Sequence, residues 1–187
     1  MEFTEGVRFD SLHLSPEIIR AIEKRNIEVS TPVQAGCIPP MMDWQDVIAK
    51  APTGTGKTCA FGIPVAEHIQ PENKYPQAVI MAPTRELAQQ IAEELSNLTY
   101  FMPEVQVACV YGGANMEKQA KRLAEGCQIV VATPGRLMDH YKHHSIDISH
   151  VTQIVLDEAD EMLNMGFYRD VRHIIEMMKA RKALSMF

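Results

Sequence analysis

The chain has 187 residues, a mass of 21.0 kDa and a formal net charge of −6 at pH 7. This length corresponds to one domain, or to two small ones at most. Hydrophobic residues make up 46% and charged residues 22%. These ordinary proportions exclude an intrinsically disordered chain, a collagen-like repeat and a disulfide-stapled miniprotein.

Targeting and redox signals are also absent from the sequence. No apolar run approaches the roughly 18 residues that span a bilayer, and the first ten residues carry Glu2, Glu5 and Asp10 without a basic or apolar leader. The four cysteines form no C-x-x-C pair, so we expect four buried free thiols. We therefore expect a cytoplasmic protein that contacts no membrane. The acidic pI argues against a strongly basic nucleic-acid binder, but it allows a local phosphate-binding edge.

The order of predicted elements indicates an α/β domain. Helices come first, since Ser15-Pro16-Glu17 and Thr31-Pro32 each pair an N-cap residue with a proline at the first helical position. Apolar strands then alternate with helical segments, which predicts a mainly parallel sheet flanked by helices. The strands are predicted at 46–50, 78–81, 105–111, 128–132 and 153–156, with a sixth candidate at 183–187. The helices between them are predicted at 85–98, 115–125, 134–143 and 168–179.

The first strand is followed by a phosphate-binding pattern. Ligands of such sheets bind beyond the carboxyl ends of the strands. There the glycines of A-P-T-G-T-G-K-T let backbone N–H groups surround a phosphate chain, at the start of a helix. Lys57 would reach the β and γ phosphates, and the Thr58 hydroxyl would bind Mg²⁺. The pattern comprises Ala51, Pro52, Thr53, Gly54, Thr55, Gly56, Lys57 and Thr58.

The fifth strand ends in the acidic sequence L-D-E-A-D at residues 156–160. Asp157 comes directly after a buried strand, on the same edge as the phosphate loop. The second Mg²⁺-organising carboxylate of a P-loop NTPase lies at this position. We expect Asp157 to hold the metal through water and Glu158 to orient or deprotonate the attacking water.

Three further junctions carry small residues and arginines. Their sequences are P-T-R-E-L, Y-G-G and T-P-G-R, and Thr84 and Thr133 are placed to cap the helices that follow. One nucleotide cannot occupy all these anion sites, which predicts a second ligand whose phosphates are strung along a chain, a nucleic-acid strand. The candidate contacts are Pro83, Thr84, Arg85, Gly112, Gly113, Thr133, Pro134, Gly135 and Arg136.

Taken in this order, these motifs resemble those of the DEAD-box family of ATP-dependent RNA helicases, from about Phe9 to Phe187. The resemblance implies the first of two RecA-like domains, with Mg-ATP at the phosphate loop and at Asp157–Glu158, and with RNA held by its backbone without sequence preference. It also implies that S-T-P-V-Q is the adenine-reading motif. There Gln34 would pair with the amine and N7 of adenine. Phe9 would lie near the nucleotide, Ile27 stands where the family has an aromatic residue, and Ser30 replaces a proline.

The resemblance also fixes the expected domain organisation. We expect a single RecA-like domain over residues 1–187, with a helical Gln-motif region to about residue 42 and the sheet core from residue 43. The family's next motif, its second RecA-like domain and the arginine finger of that domain are not in this chain. We therefore expect a domain excised from a longer protein, monomeric and nearly inactive alone, in which Asp160 lacks its usual partner.

Two other functions are compatible with these motifs. One is a different P-loop motor, such as a DNA translocase, and the other is a non-enzymatic, ATP-gated RNA clamp. The cluster of His140, His143, His144 and His150 contains a metal-compatible i,i+4 pair, but no placed carboxylate or cysteine completes a site. We expect it to be a polar helix end.

Overall fold

The computed structural model describes residues 5–187. A short 3₁₀ helix, Phe9–Leu12, precedes six strands and eight α-helices. The strands are β1 Val47–Ile48, β2 Ala78–Met81, β3 Val107–Val110, β4 Ile129–Ala132, β5 Gln153–Leu156 and β6 Ala183–Met186. The helices are α1 Pro16–Glu23, α2 Pro32–Met42, α3 Lys57–Glu67, α4 Arg85–Leu98, α5 Met116–Ala124, α6 Pro134–Lys142, α7 Ala159–Asn164 and α8 Tyr168–Met177.

The predicted strands and helices are confirmed, including the sixth strand. The strands β1 and β3 are shorter than predicted. β1 lies at the edge of the sheet and keeps only two residues, and its Ile48 is 84% exposed. The observed α4 begins and ends at the predicted residues, and the other three predicted helices end within two residues of their predicted bounds.

The helix starts show which predicted caps form. The Ser15 hydroxyl accepts a hydrogen bond from the N–H of Ile18, and the Thr84 hydroxyl accepts one from the N–H of Leu87. Thr31 forms a capping box with Gln34 at the start of α2. The expected side-chain cap at Thr133 is wrong, because this residue occupies the N-cap of α6 without a side-chain hydrogen bond.

All six strands are parallel and follow the spatial order β1-β6-β5-β2-β4-β3. Since the strands run the same way, all their carboxyl ends lie at one edge of the sheet. The junctions singled out in the sequence therefore share that edge, and the strand order decides which of them are neighbours.

The sheet is buried on both faces, which explains why β2, β4 and β5 read as continuous apolar runs. In β2, Ile80 joins the core cluster formed with α1 to α4, whereas Val79 and Met81 join the opposite cluster. The opposite cluster includes Leu137 of α6 and Ile174 of α8. The four cysteines are free, but Cys109 is half-buried rather than buried as expected. Within residues 5–187, no helix combines the length and apolar character needed to cross a membrane.

Candidate functional site

The loop from Ala51 to Gly56 connects β1 to α3 in a conformation that requires glycine. Gly54 and Gly56 have φ angles of +82° and +85°, in the left-handed region that side chains disfavour. A Cβ atom added to Gly56 would also collide with the side-chain amide of Gln34. The Thr55 hydroxyl donates to the Pro52 carbonyl at 2.7 Å and tightens the turn. The free N–H groups of the first turn of α3 follow this loop, an arrangement suited to an anion.

Gln34 ties the Gln-motif region to this loop. Its Oε1 accepts from the N–H of Thr31 at 2.9 Å, and its Nε2 donates to the Gly56 carbonyl at 3.1 Å. The residue is 5% exposed. A carboxamide has two donors and two acceptor lone pairs, so one donor and one lone pair are left for a further ligand.

Phe9 and Ile27, the other two residues predicted to lie near the nucleotide, are in the core or packed against it. Phe9 is 4% exposed and belongs to the core cluster, which leaves little of its ring open to a ligand. Ile27 is half-buried against the same cluster. Ser30, at the position where the family has proline, accepts a hydrogen bond from the N–H of Val7 at 2.9 Å. This bond gives the serine a structural role that a proline side chain cannot supply.

Asp157 is a buried carboxylate at the end of β5. It is 3% exposed, and burial raises its pKa to about 6, while Lys57 acts in the opposite direction by favouring the ionised form. The segment is fixed by backbone bonds on both sides, from the N–H of Asp157 to Met81 and from the N–H of Ala159 to Phe187. A nearby cation would favour the ionised form of such a buried carboxylate and would lower its pKa.

The neighbouring acids differ from Asp157. Glu158 is half-exposed and has φ +51° and ψ +51°, a left-handed conformation rare for a non-glycine residue and often found at functional sites. Asp160 is exposed, and its carboxylate accepts from the N–H of Glu161 at 2.9 Å. Asp160 thus bonds within its own helical turn.

A divalent cation bound with a phosphate chain suits these residues. Lys57 and Thr58 begin α3 and are half-exposed, and Thr58 also borders a surface depression with α4. Magnesium is usually held by one or two carboxylates together with substrate phosphates and water, so a single buried Asp157 is a sufficient protein anchor. Among residues 5–187 no group of three or more His, Cys, Asp or Glu side chains could hold a metal alone. His140 is instead buried against Gln119.

At the end of β2, Arg85 is exposed at the first position of α4. Its guanidinium carbon lies 5.1 Å from the centre of the Tyr111 ring, and the Gln89 amide donates to the Tyr111 hydroxyl at 3.0 Å. Tyr111 follows β3, so this contact joins two of the predicted junctions. Pro83, also predicted to contact RNA, is buried.

Arg136, at the end of β4, makes intramolecular bonds. Its Nη1 donates to the Ala114 carbonyl at 3.1 Å and to Gln119 Oε1 at 3.0 Å, and its side chain is 13% exposed. Pro134 beside it is buried, whereas Thr133 and Gly135 are half-exposed and Gly112 and Gly113 are exposed. The expectation of a polar helix end is wrong for His140, which is buried, and Gln119 was not singled out in the sequence, because helical periodicity does not reveal which polar side chains turn inward.

The strand order sorts the junctions into two groups. The phosphate loop follows β1 and Asp157 follows β5, with only β6 between these strands. Arg85, Arg136 and the Gly112–Gly113 turn follow β2, β4 and β3, which are consecutive neighbours at about 4.8 Å per strand. The fold and site thus define a P-loop-type α/β domain with two candidate anion-binding regions along one edge.

The family is shown by comparison with known proteins. The model of the DEAD/DEAH box helicase family matches residues 31–187. The ATP-dependent RNA helicase CshA of Limosilactobacillus reuteri is 48% identical over 170 residues, 91% of this chain and 34% of that protein. The ATP-dependent RNA helicase DeaD of Escherichia coli strain K12 is 43% identical over 96% of this chain and 28% of that protein. The chain belongs to the DEAD/DEAH box helicase family and spans about a third of the length of these relatives.

Solved structures confirm the RecA-like fold. A DEAD box protein from the hyperthermophile Methanococcus jannaschii superposes with a TM-score of 0.88 and 38% identity, over 98% of this chain and 50% of that one. The yeast DEAD-box splicing factor Prp28 gives a TM-score of 0.89 and 33% identity, over 96% of this chain and 46% of that one.

Proposed function

We propose that this chain is the first RecA-like domain of an ATP-dependent RNA helicase, binding ATP at one end of its sheet edge and an RNA backbone at the other. The observation that carries the proposal is the strand order. It places the glycine loop and buried Asp157 at the β1-β6-β5 end and the exposed Arg85 and Gly112–Gly113 at the β2-β4-β3 end.

The nucleotide half of the edge is the part formed by the ends of β1, β6 and β5. There, the loop of Ala51–Gly56 and the first turn of α3 receive the phosphates, and Lys57 neutralises their charge. Thr58 and Asp157 would hold Mg²⁺, which would supply positive charge beside the phosphates. Glu158 orients or deprotonates the attacking water. Gln34, already bonded to the loop, uses its remaining donor and acceptor on the adenine edge.

The RNA half of the edge is the part formed by the ends of β2, β4 and β3. There, exposed main chain and arginine contact phosphates and sugars. Gly112 and Gly113 have open space where a Cβ atom would lie, so a strand can approach the backbone closely. Phosphate contacts carry no sequence information, which supports binding without sequence preference. Because RNA is distinguished from DNA by its 2′-hydroxyl groups, comparing the two as ATPase stimulants separates this proposal from a DNA motor.

We further propose that catalysis requires a second RecA-like domain of the same parent protein, which would supply the arginine finger, and that the protein is a monomer. The relatives that carry the name of RNA helicase are about three times as long as this chain, which supports a larger parent. The free thiols suit a reducing compartment such as the cytoplasm.

Two binding measurements on this chain test the proposal. Calorimetry should detect ADP and Mg-ATP, and the Lys57→Ala variant should lose both. Fluorescence anisotropy with a labelled oligouridylate should detect weaker, salt-dependent binding that Arg85→Ala reduces and Lys57→Ala leaves intact. Nucleotide binding that survives Lys57→Ala, or RNA binding lost equally in both variants, would contradict the assignment of two separate regions.

A further inference from the structure

We propose that Gln119, which the sequence motifs leave out, is a positioning residue that holds the Tyr111–Ala114 turn against the start of α6 so that both present to one RNA strand. The inference rests on the proposed RNA-binding function of these two junctions. Gln119 lies on α5 and is 8% exposed, and its side chain points between the end of β3 and the start of α6.

The carboxamide of Gln119 has one orientation that satisfies its neighbours. Its Nε2 donates to the Tyr111 carbonyl at 3.1 Å, and its Oε1 accepts from Arg136 Nη1 at 3.0 Å. A carbonyl only accepts and a guanidinium only donates, so rotating the amide by 180° would break both bonds. His140 Nε2 lies 3.1 Å from the same Oε1 and must therefore carry the proton and donate. Three groups from two segments, Tyr111 after β3 and both Arg136 and His140 on α6, thus fix the position of one side chain.

The same amide lies within a chain of contacts that crosses the RNA half of the edge. Arg136 donates to the Ala114 carbonyl as well as to Gln119, which closes a ring between the turn and α6. On the other side of the turn, the Tyr111 ring lies beneath the guanidinium of Arg85. Gln119 therefore connects the segments that follow β4 and β3, and through Tyr111 the one that follows β2.

The turn has little side-chain packing of its own to hold it. Gly112 and Gly113 are exposed, and nothing lies within 4 Å of a Cβ atom placed on either. Removing the Gln119 amide would leave the Arg136 Nη1, His140 and the Tyr111 carbonyl short of a partner in a largely buried place, next to an Arg136 Nε that already lacks a hydrogen bond. We expect the turn and the Arg136 side chain to shift together.

The chain offers a matched control at the opposite edge of the sheet. Gln128 precedes β4, is 1% exposed, and its amide donates to the carbonyls of Pro71 and Glu104 and accepts from the N–H of Gln106. The variants Gln119→Leu and Gln128→Leu each remove a buried amide with about the same number of bonds. Both should lower Tm, and only Gln119→Leu should act on RNA.

The test is anisotropy with a labelled oligouridylate and calorimetry with ADP, on wild type and both variants. Gln119→Leu should weaken RNA binding by about ten-fold, the lower end of the loss seen when an outer-shell partner of a metal ligand is removed. Its ADP affinity should be unchanged, and Gln128→Leu should leave both affinities unchanged. If Gln119→Leu does not fold, Gln119→Glu replaces it, since the carboxylate still accepts from Arg136 but cannot donate to Tyr111, and the same RNA-specific loss is expected.

The results distinguish failure of the positioning role of Gln119 from failure of the proposed RNA-binding function. If Arg85→Ala weakens RNA binding but Gln119→Leu behaves like Gln128→Leu, the positioning role is wrong and the RNA site stands. If the wild-type chain shows no RNA binding that Arg85→Ala reduces, the proposed function fails and the positioning role fails with it. A parallel loss of RNA and ADP affinity in Gln119→Leu would also overturn the inference, because it would indicate a general structural role.

Discussion

The side-chain amide of Gln34 donates a hydrogen bond to the carbonyl oxygen of Gly56, at 3.1 Å. Gly56 has a positive φ angle, and the Gln34 amide leaves no room for a side chain on it. The phosphate loop and the Gln motif, 22 residues apart in sequence, therefore fix each other's conformation before any nucleotide arrives.

Replacing Gln34 tests whether this residue reads the base. Wild-type chain should bind ADP more tightly than GDP, because guanine presents a carbonyl where adenine presents an amine. Gln34→Ala should weaken ADP binding and reduce the preference. It should also lower stability by about 1 kcal/mol through loss of its capping and loop bonds.

Thr31→Ala is the matched control for Gln34→Ala. It breaks the capping box from the other side while leaving the Gln34 amide in place, so it should cost similar stability and keep the preference for adenine. Calorimetry with both nucleotides measures the two effects. Equal affinity of the wild-type chain for ADP and GDP would refute the adenine-reading role.

The buried carboxylate of Asp157 should lower the free energy of unfolding of the nucleotide-free domain. Its pKa is raised to about 6 by burial, which corresponds to on the order of 3 kcal/mol against ionisation in the folded state. Since the folded pKa lies above the unfolded one, the contribution to stability is largest below about pH 4 and is lost as pH rises through 6. Asp157→Asn should therefore unfold at higher urea concentration than wild type at pH 7.5 without metal.

Two comparisons check this reading of Asp157. The stability gain of Asp157→Asn should shrink at pH 5, where most of the wild-type carboxyl is protonated. Magnesium with ADP should stabilise the wild type more than the variant, because only the carboxylate gains from the cation. A variant less stable than wild type at pH 7.5 in the absence of metal would show that the buried charge is compensated by other groups.

The two arginines of the RNA half should behave differently from each other. Arg85 is exposed, so Arg85→Ala should weaken all RNA sequences alike and make the salt slope of binding shallower by about 1, without changing Tm. Arg136 is largely buried and bonded to Ala114 and Gln119, so Arg136→Ala should weaken RNA binding and also lower Tm. Anisotropy at several salt concentrations with two oligonucleotide sequences measures this, and a loss restricted to one sequence would argue against backbone contacts.

The fold was largely predictable because its signals are local. Periodicity and capping residues located the strands and α4, and the glycine and acidic motifs marked the junctions. The strand order was not predictable, since it depends on which buried faces pack together. The inward direction of Arg136 was not predictable either, because an arginine after T-P-G gives no sign that Gln119, 17 residues earlier, will accept a hydrogen bond from it. The core position of Phe9 likewise depends on its tertiary neighbours.

His68, at the C-terminal end of α3, provides a pH-dependent test of the fold. Its ring stacks on Trp44, the only tryptophan, with centroids 3.8 Å apart, while Nε2 donates to the Met42 carbonyl and Nδ1 accepts from the Gln153 amide. Burial lowers the pKa of His68. Because the folded pKa lies below the unfolded one, its contribution to stability is complete above about pH 6.5 and is lost as pH falls.

Trp44 fluorescence should report this titration with a midpoint below the ordinary histidine value of about 6.5. His68→Gln should remove the transition, and a variant of the exposed His173 should keep it. A fluorescence midpoint above the ordinary histidine value in the wild-type chain would show that the protonated ring is stabilised in the fold.

The central claim is that this chain binds ATP and RNA but needs a second domain for turnover. The chain contains the groups proposed to receive phosphate, metal and water, namely Lys57, Thr58, Asp157 and Glu158. Arg85 and Arg136 follow strands in the half of the edge proposed to bind RNA. An arginine finger is worth roughly 10³–10⁵ in turnover in P-loop enzymes. The isolated chain should accordingly bind nucleotide yet hydrolyse it very slowly and unwind no duplex.

The most direct test is steady-state phosphate release with saturating RNA, with and without the second domain joined in cis. A Glu158→Gln variant controls for contaminating ATPase, since any true residual rate should fall with loss of that carboxylate. Joining the second domain should raise the rate by about 10³-fold or more. Equal rates for the isolated chain and the two-domain protein, both sensitive to Glu158→Gln, would contradict this expectation.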